Sequence, residues 1–91
     1  DMLELGELSK KEHFKVGEKC KDLNLDLVYT FGIESKVTNS VLIGSIQNSH
    51  FVSRSNLISK LKQNLIPGDQ VLFKGSRGMA MENIISEVFK T

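Results

Sequence analysis

Apolar positions recur along the chain in two periods, and the alternation between them outlines the fold. After Ser9, the residues His13, Val16, Gly17, Cys20 and Leu23 or Asn24 fall near one helical face, with Lys15, Glu18, Lys19 and Asp22 outside it. Ser9-Lys10-Lys11-Glu12 matches the S-x-x-E capping box, which predicts a helix whose first free N–H groups are satisfied by that hydroxyl and carboxylate. Gly17 costs such a helix up to about 1 kcal/mol relative to alanine, so a close neighbour is expected against it.

Leu27-Val28-Tyr29-Thr30-Phe31, rich in β-branched and aromatic residues, predicts a buried strand stopped by Gly32. The stretch 34–43 is open between two readings: Val37, Val41 and Leu42 suit a short helix, and Val41-Leu42-Ile43 suits an extended segment. Phe51-Val52 predicts a short strand. Ser55 then caps a helix in which Leu57, Ile58, Leu61 and Leu65 share a face, ended by Pro67-Gly68. Val71-Leu72-Phe73 predicts another continuous apolar strand, broken by Gly75-Ser76-Arg77-Gly78. Met79, Met81, Ile84, Ile85, Val88 and Phe89 form the stripe of a last helix.

Strands apolar on both faces that alternate with helices indicate a parallel sheet covered by helices, an α/β fold. The strand that should precede the first helix is missing, because residues 1–6 read as a loop. Together with an opening Asp1 in place of methionine, this reads as a piece of something longer.

Composition narrows the picture without supplying a function. Ninety-one residues make one domain, 1–91. A chain of this size buries roughly 60–65% of its unfolded surface, enough for one core but no large closed pocket. With 40% hydrophobic and 25% charged residues, a disordered chain is excluded. Twelve Lys and Arg against eleven Asp and Glu leave a charge of +1, so no bulk field draws nucleic acid or anionic membrane. The single cysteine excludes an intrachain disulfide and fits a reducing compartment. No apolar run approaches the roughly 20 residues of a membrane span, and no signal-like segment opens the chain.

In open parallel sheets, ligands bind beyond the carboxyl ends of the strands. Three segments qualify: residues 1–9, 32–35 and 74–78. Lys74-Gly75-Ser76-Arg77-Gly78 places two cations, a hydroxyl and two glycines between a strand and a helix. Such a turn either holds an anion, with Arg77 gripping a carboxylate or phosphate bidentately, or is a solvated bend. It is neither a Walker A loop nor a dinucleotide fingerprint. Asp1, Glu4 and Glu7 form an acidic cluster near Gly6, read either as meeting a ligand or as favouring the positive end of the following helix. His13 is either a ligand contact on this rim or a helix-face histidine bonded to a neighbouring carbonyl. Cys20 reads as a buried inert thiol rather than a nucleophile, and no Ser-His-Asp or Cys-His set assembles.

Three motifs in register carry a resemblance over the whole chain. Asp1-Met2-Leu3-Glu4-Leu5-Gly6 resembles the G-D-M-x-E-L-G loop of the Mur ligases that add D-alanyl-D-alanine to UDP-N-acetylmuramoyl tripeptide. His13 with Val16-Gly17 is similar to their H-x-x-V-G helix. Pro67-Gly68-Asp69, then Val71-Leu72-Phe73-Lys74-Gly75-Ser76-Arg77-Gly78-Met79 and Met81-Glu82, resembles their P-G-D-x-V-L-x-K-G-S-R-G-M-x-x-E ending. The resemblance implies a Rossmann-like, mostly parallel sheet with helices on both faces and its first strand missing here. It further implies the carboxy-terminal domain of a three-domain, cytoplasmic, ATP-dependent ligase of peptidoglycan precursor synthesis, not active alone. ATP and Mg²⁺ would sit mainly on the enzyme's own central domain, where an acyl phosphate forms. The implied substrates are UDP-N-acetylmuramoyl tripeptide and D-alanyl-D-alanine, and the implied partners are the amino-terminal and central domains, with no nucleic acid and no membrane.

Carried over residue by residue, Lys74, Gly75, Ser76 and Arg77 are the expected substrate-binding rim. Asp1, Glu4, Gly6 and His13 are the expected edge facing the nucleotide and the central domain. No catalytic residue or metal ligand is expected in this chain. Ala80 stands where a basic residue is often found in that family. A stand-alone, non-catalytic anion- or nucleotide-binding module is the competing reading.

Overall fold

The structure, a computed structural model, describes residues 1–90. The elements run α1 (Ser9–Asp22), β1 (Leu27–Phe31), α2 (Lys36–Leu42), β2 (Gln47–Phe51), α3 (Arg54–Asn64) and α4 (Met81–Val88), with 3-10 turns at Gly6–Leu8 and Arg77–Met79. β1 and β2 pair in parallel, Leu27 opposite Gln47 through Phe31 opposite Phe51. The parallel pair with its crossover helix is the α/β arrangement expected from the alternating pattern.

Side-chain alternation on the strands sorts the helices into two layers. Tyr29, Phe31 and Phe51 pack against a core of Leu57, Leu61, Ile84 and Val88 from α3 and α4. Tyr29 and Phe51 meet edge to face, with centroids 5.4 Å apart. Thr30, on the opposite side of β1, is buried, and its hydroxyl lies 2.7 Å from Nδ1 of His50, its register partner. α1 and α2 form the other layer. Gly17 is where they come together: a Cβ built there would lie 2.8 Å from Cβ of Val41 and 3.2 Å from the Thr38 carbonyl. The Thr38 hydroxyl donates to the His13 carbonyl at 2.5 Å across the same contact. The close neighbour expected from a mid-helix glycine is therefore α2, and the open reading of residues 34–43 resolves in favour of the helix.

Several local expectations are corrected. The capping box at Ser9 does not form. A 3-10 turn leads into α1 with Leu8 already in helical conformation, Ser9 is buried, and its hydroxyl lies 3.2 Å from Nδ1 of His13 while Glu12 pairs with exposed Lys15. Ser53, not Ser55, caps α3, accepting the Asn56 N–H at 3.3 Å. The second strand is Gln47–Phe51 rather than Phe51-Val52, because pairing with β1 imposes extension on polar residues of low strand propensity. Val71-Leu72-Phe73 is not a strand: no described segment pairs with it, and Leu72 is 85% exposed. The last helix begins only at Met81, after Ala80 in the left-handed region with φ 51°.

Candidate functional site

The three loop segments singled out from sequence converge on one rim at the carboxyl ends of the strands, and Asp1 joins them. Its amino nitrogen donates to the Phe31 carbonyl at 3.1 Å. Its carboxylate accepts the backbone N–H groups of Ser35 at 2.7 Å and Glu34 at 3.1 Å. Its carbonyl accepts the Ser76 N–H at 3.0 Å. Segments 1–9, 32–35 and 74–78 thus meet through a single residue. Gly32 makes the approach possible, since its φ is +116° and a Cβ there would collide with the Asp1 carboxylate.

The next residues fasten residues 1–3 at two further points. The Ser76 hydroxyl accepts the Leu3 N–H at 3.0 Å. His13, only 2% exposed, accepts the Met2 N–H on Nε2 at 3.0 Å and donates from Nδ1 to the Ser9 carbonyl at 2.8 Å. That pairing selects the neutral tautomer protonated on Nδ1. His13 therefore supports the rim from beneath, bonded to a neighbouring carbonyl.

Leu3, Glu4, Ser76, Arg77 and Gly78 line an open cleft of about 390 Å³. Glu4 holds φ 65°, a conformation rare outside glycine, and Gly6 follows at φ 56°, so the loop turns sharply over the cleft. Gly78 admits Leu3, whose Cδ1 lies 2.7 Å from where a Cβ would stand, and Gly75 faces Met81 in the same way at 3.0 Å. Lys74 and Arg77 are exposed and, among the described residues, make no salt bridge. A guanidinium without a protein carboxylate at the mouth of a cleft is ready to take an anion bidentately. The Ser76 hydroxyl keeps its own proton to donate.

Arg54 was not legible as part of this rim. It stacks over the Phe31 ring at 5.7 Å from the centroid and donates to the Met79 carbonyl at 3.2 Å, tying the start of α3 to the turn after Arg77. Its place directly after the cap residue Ser53, beyond the end of β2, is the signal that points to it. Burial pushes the Cys20 thiol above its ordinary value, which keeps it protonated and unreactive. Among the described residues no group of three or more His, Cys, Asp or Glu is placed to hold a metal ion. No helix among them is long and apolar enough to cross a membrane.

Comparison with known proteins gives one consistent result. A UDP-N-acetylmuramoyl-tripeptide–D-alanyl-D-alanine ligase of Bacillus subtilis (strain 168) is 32% identical over 97 residues, covering 100% of this chain and 21% of the relative. Proteins of the same name from Escherichia coli (strain K12) and Haemophilus influenzae are 39% and 37% identical, each over 93% of this chain and 19% of the relative. The chain thus spans only 19% to 21% of the length of these curated relatives. No family model and no solved structure matches it.

Proposed function

This chain belongs to the Mur ligase family, and we propose that it serves as the carboxy-terminal, substrate-positioning domain of a cytoplasmic, ATP-dependent ligase that joins D-alanyl-D-alanine to UDP-N-acetylmuramoyl tripeptide. The observation that carries the reading is the junction of residues 1–3 with Ser76 around a cleft that presents Arg77. Two motifs separated by most of the chain become one surface, and that surface is shaped for a small anionic group.

The cleft offers one charge of each sign, Arg77 and Glu4. That pairing suits a dipeptide, with Arg77 forking onto its carboxylate and Glu4 near its amino end. Lys74 adds positive potential from the same turn, and the Ser76 hydroxyl offers one more donor. Asp1 and His13 serve the edge by holding its backbone, and the sharp turn through Glu4 and Gly6 brings that edge over the cleft. The chain contributes position rather than covalent chemistry: it holds the incoming amine at the reacting carboxyl and helps exclude water when the domains close.

Among this chain's described residues no acidic cluster is placed to hold Mg²⁺, and its sequence has no phosphate loop for ATP. Both belong, in this reading, to a central domain, and an amino-terminal domain completes the enzyme. The test is made on the longer protein that contains this chain. Phosphate release that depends on both D-alanyl-D-alanine and UDP-N-acetylmuramoyl tripeptide is expected; release indifferent to the dipeptide would overturn the proposal.

A further inference from the structure

The turn that carries Arg77 is held at both ends from Phe31, the last residue of β1. Residues Arg77–Met79 form one 3-10 turn, in which the Met79 N–H donates to the Ser76 carbonyl at 2.9 Å and the Ala80 N–H to the Arg77 carbonyl at 3.1 Å. At its start, the Ser76 N–H donates to the Asp1 carbonyl, and the Asp1 nitrogen donates to the Phe31 carbonyl. At its end, Nη2 of Arg54 donates to the Met79 carbonyl at 3.2 Å while its guanidinium lies 5.7 Å from the centroid of the Phe31 ring. Arg54 stands where its own helix does not favour it. A cation in the first turn opposes the helix dipole, α3 has no acidic residue there, and Arg54 makes no salt bridge among the described residues. What it does hold is the peptide between Met79 and Ala80. Ala80 sits at φ 51°, and an alanine keeps that left-handed conformation only where its surroundings impose it.

We infer that Arg54 is a positioning residue for the cleft: by fixing the Met79–Ala80 peptide, it sets the direction in which Arg77 is presented to an anion. The inference rests on the function proposed above, in which that anion is the carboxylate of the dipeptide. Arg54 does not line the cleft and acts only through the turn. Its leverage comes from the geometry of a fork, since two parallel N–H groups must meet two oxygens at once and a small rotation loses one of them. Ser76 is anchored by Asp1 and by the Leu3 N–H, so the free variable of the turn is its far end, where Arg54 bonds. The ring of Phe31 makes that bond directional. A planar guanidinium lies against the ring and donates from its edge at the same time, which an ammonium cannot reproduce.

Steady-state kinetics and amide hydrogen exchange in the longer protein test it together. Arg54→Ala is expected to raise KM for D-alanyl-D-alanine by about threefold to tenfold, with kcat and KM for UDP-N-acetylmuramoyl tripeptide unchanged. Arg54→Lys should recover only part of the loss. In an Arg77→Ala background Arg54→Ala should add nothing, because no guanidinium is left to aim. Exchange at the Met79 and Ala80 amides should quicken in Arg54→Ala while Leu61, inside α3, stays protected and reports an intact fold. Unaltered exchange at Met79 and Ala80 would overturn the inference. So would equal rises in KM for both substrates, or an effect of Arg54→Ala that persists in full without Arg77. Phosphate release indifferent to the dipeptide in the unaltered protein would instead overturn the ligase reading, and the exchange measurement would then decide by itself whether Arg54 holds the turn.

Discussion

Leu27–Phe31 and the run Val71-Leu72-Phe73 are built from the same kinds of side chain, yet only the first is a strand. Leu27–Phe31 has Gln47–Phe51 beside it, in full parallel register, and places Tyr29 and Phe31 on the core. The later run has no described neighbour; only Phe73 reaches the core, meeting Phe89 edge to face at 6.4 Å, while Leu72 stays in solvent. Strand propensity is thus a statement about a surface waiting for a neighbour, and backbone pairing decides whether it is used. The rim inherits this contrast. Its Asp1 side is bonded at every turn, and its Lys74 side projects free cations from a segment held chiefly at Ser76.

Truncating one side chain in the core that β1 covers and one in the unpaired run separates the two. Ile84→Ala, in the fully buried core beneath Tyr29 and Phe31, should cost about 2–5 kcal/mol in urea unfolding. Leu72→Ala should stay within about 0.5 kcal/mol in this chain. A comparable loss at both would mean that residues 71–73 are as well packed as β1.

The layer behind β1 gives the next largest effect. Gly17→Ala adds a methyl 2.8 Å from Val41 Cβ and 3.2 Å from a backbone carbonyl, neither at the end of a flexible side chain. Overpacking outweighs the gain in helix propensity, and a net loss of about 1–2 kcal/mol is expected from the shift in denaturation midpoint. Ser76→Ala attacks the other region. It removes the acceptor of the Leu3 N–H in an exposed setting, so about 1 kcal/mol or less is expected, with faster amide exchange confined to Leu3 and its neighbours.

The smallest effect is a pH dependence carried by the paired strands. Burial holds His50 below the ordinary histidine value, so the folded state resists its protonation. About one unit above the ordinary value of 6.5, near pH 7.5, the residue is neutral in both states. As the pH falls below that value, the unfolded chain takes up the proton first and stability declines through the lower folded value. His50→Gln should flatten this slope between about pH 7.5 and pH 5, read from urea midpoints at each pH.

How much of this was readable beforehand varies by region for physical reasons. The helix faces were in large part, because a buried stripe leaves its period in the sequence: Leu57, Leu61, Ile84 and Val88 of the two proposed stripes form the core, whereas Ile85 and Phe89 of the last stripe lie exposed. Gly17 announced its neighbour by its cost. The strand Gln47–Phe51 was not readable, since its polar residues are extended by their partner and not by their own preference. The failed capping box at Ser9 has a similar cause: His13 and the preceding turn claim the groups that the local motif would use. At the rim, motif reading found the three segments, but no pattern in the chain announces that one carboxylate and one backbone unit of Asp1 join them. Arg54 escaped because its role is defined only by the fold around Phe31 and Met79.

In the proposed function Arg77, which has no salt-bridge partner among the described residues, takes the carboxylate of the incoming dipeptide. In the longer protein, Arg77→Ala should raise KM for D-alanyl-D-alanine by about tenfold to a hundredfold, the loss of one charge-assisted pair. KM for the UDP-linked tripeptide should stay unchanged, and Arg77→Lys should recover only part of the loss because a point charge cannot fork. An Arg77→Ala enzyme whose dipeptide KM equals that of the unaltered protein would contradict the account.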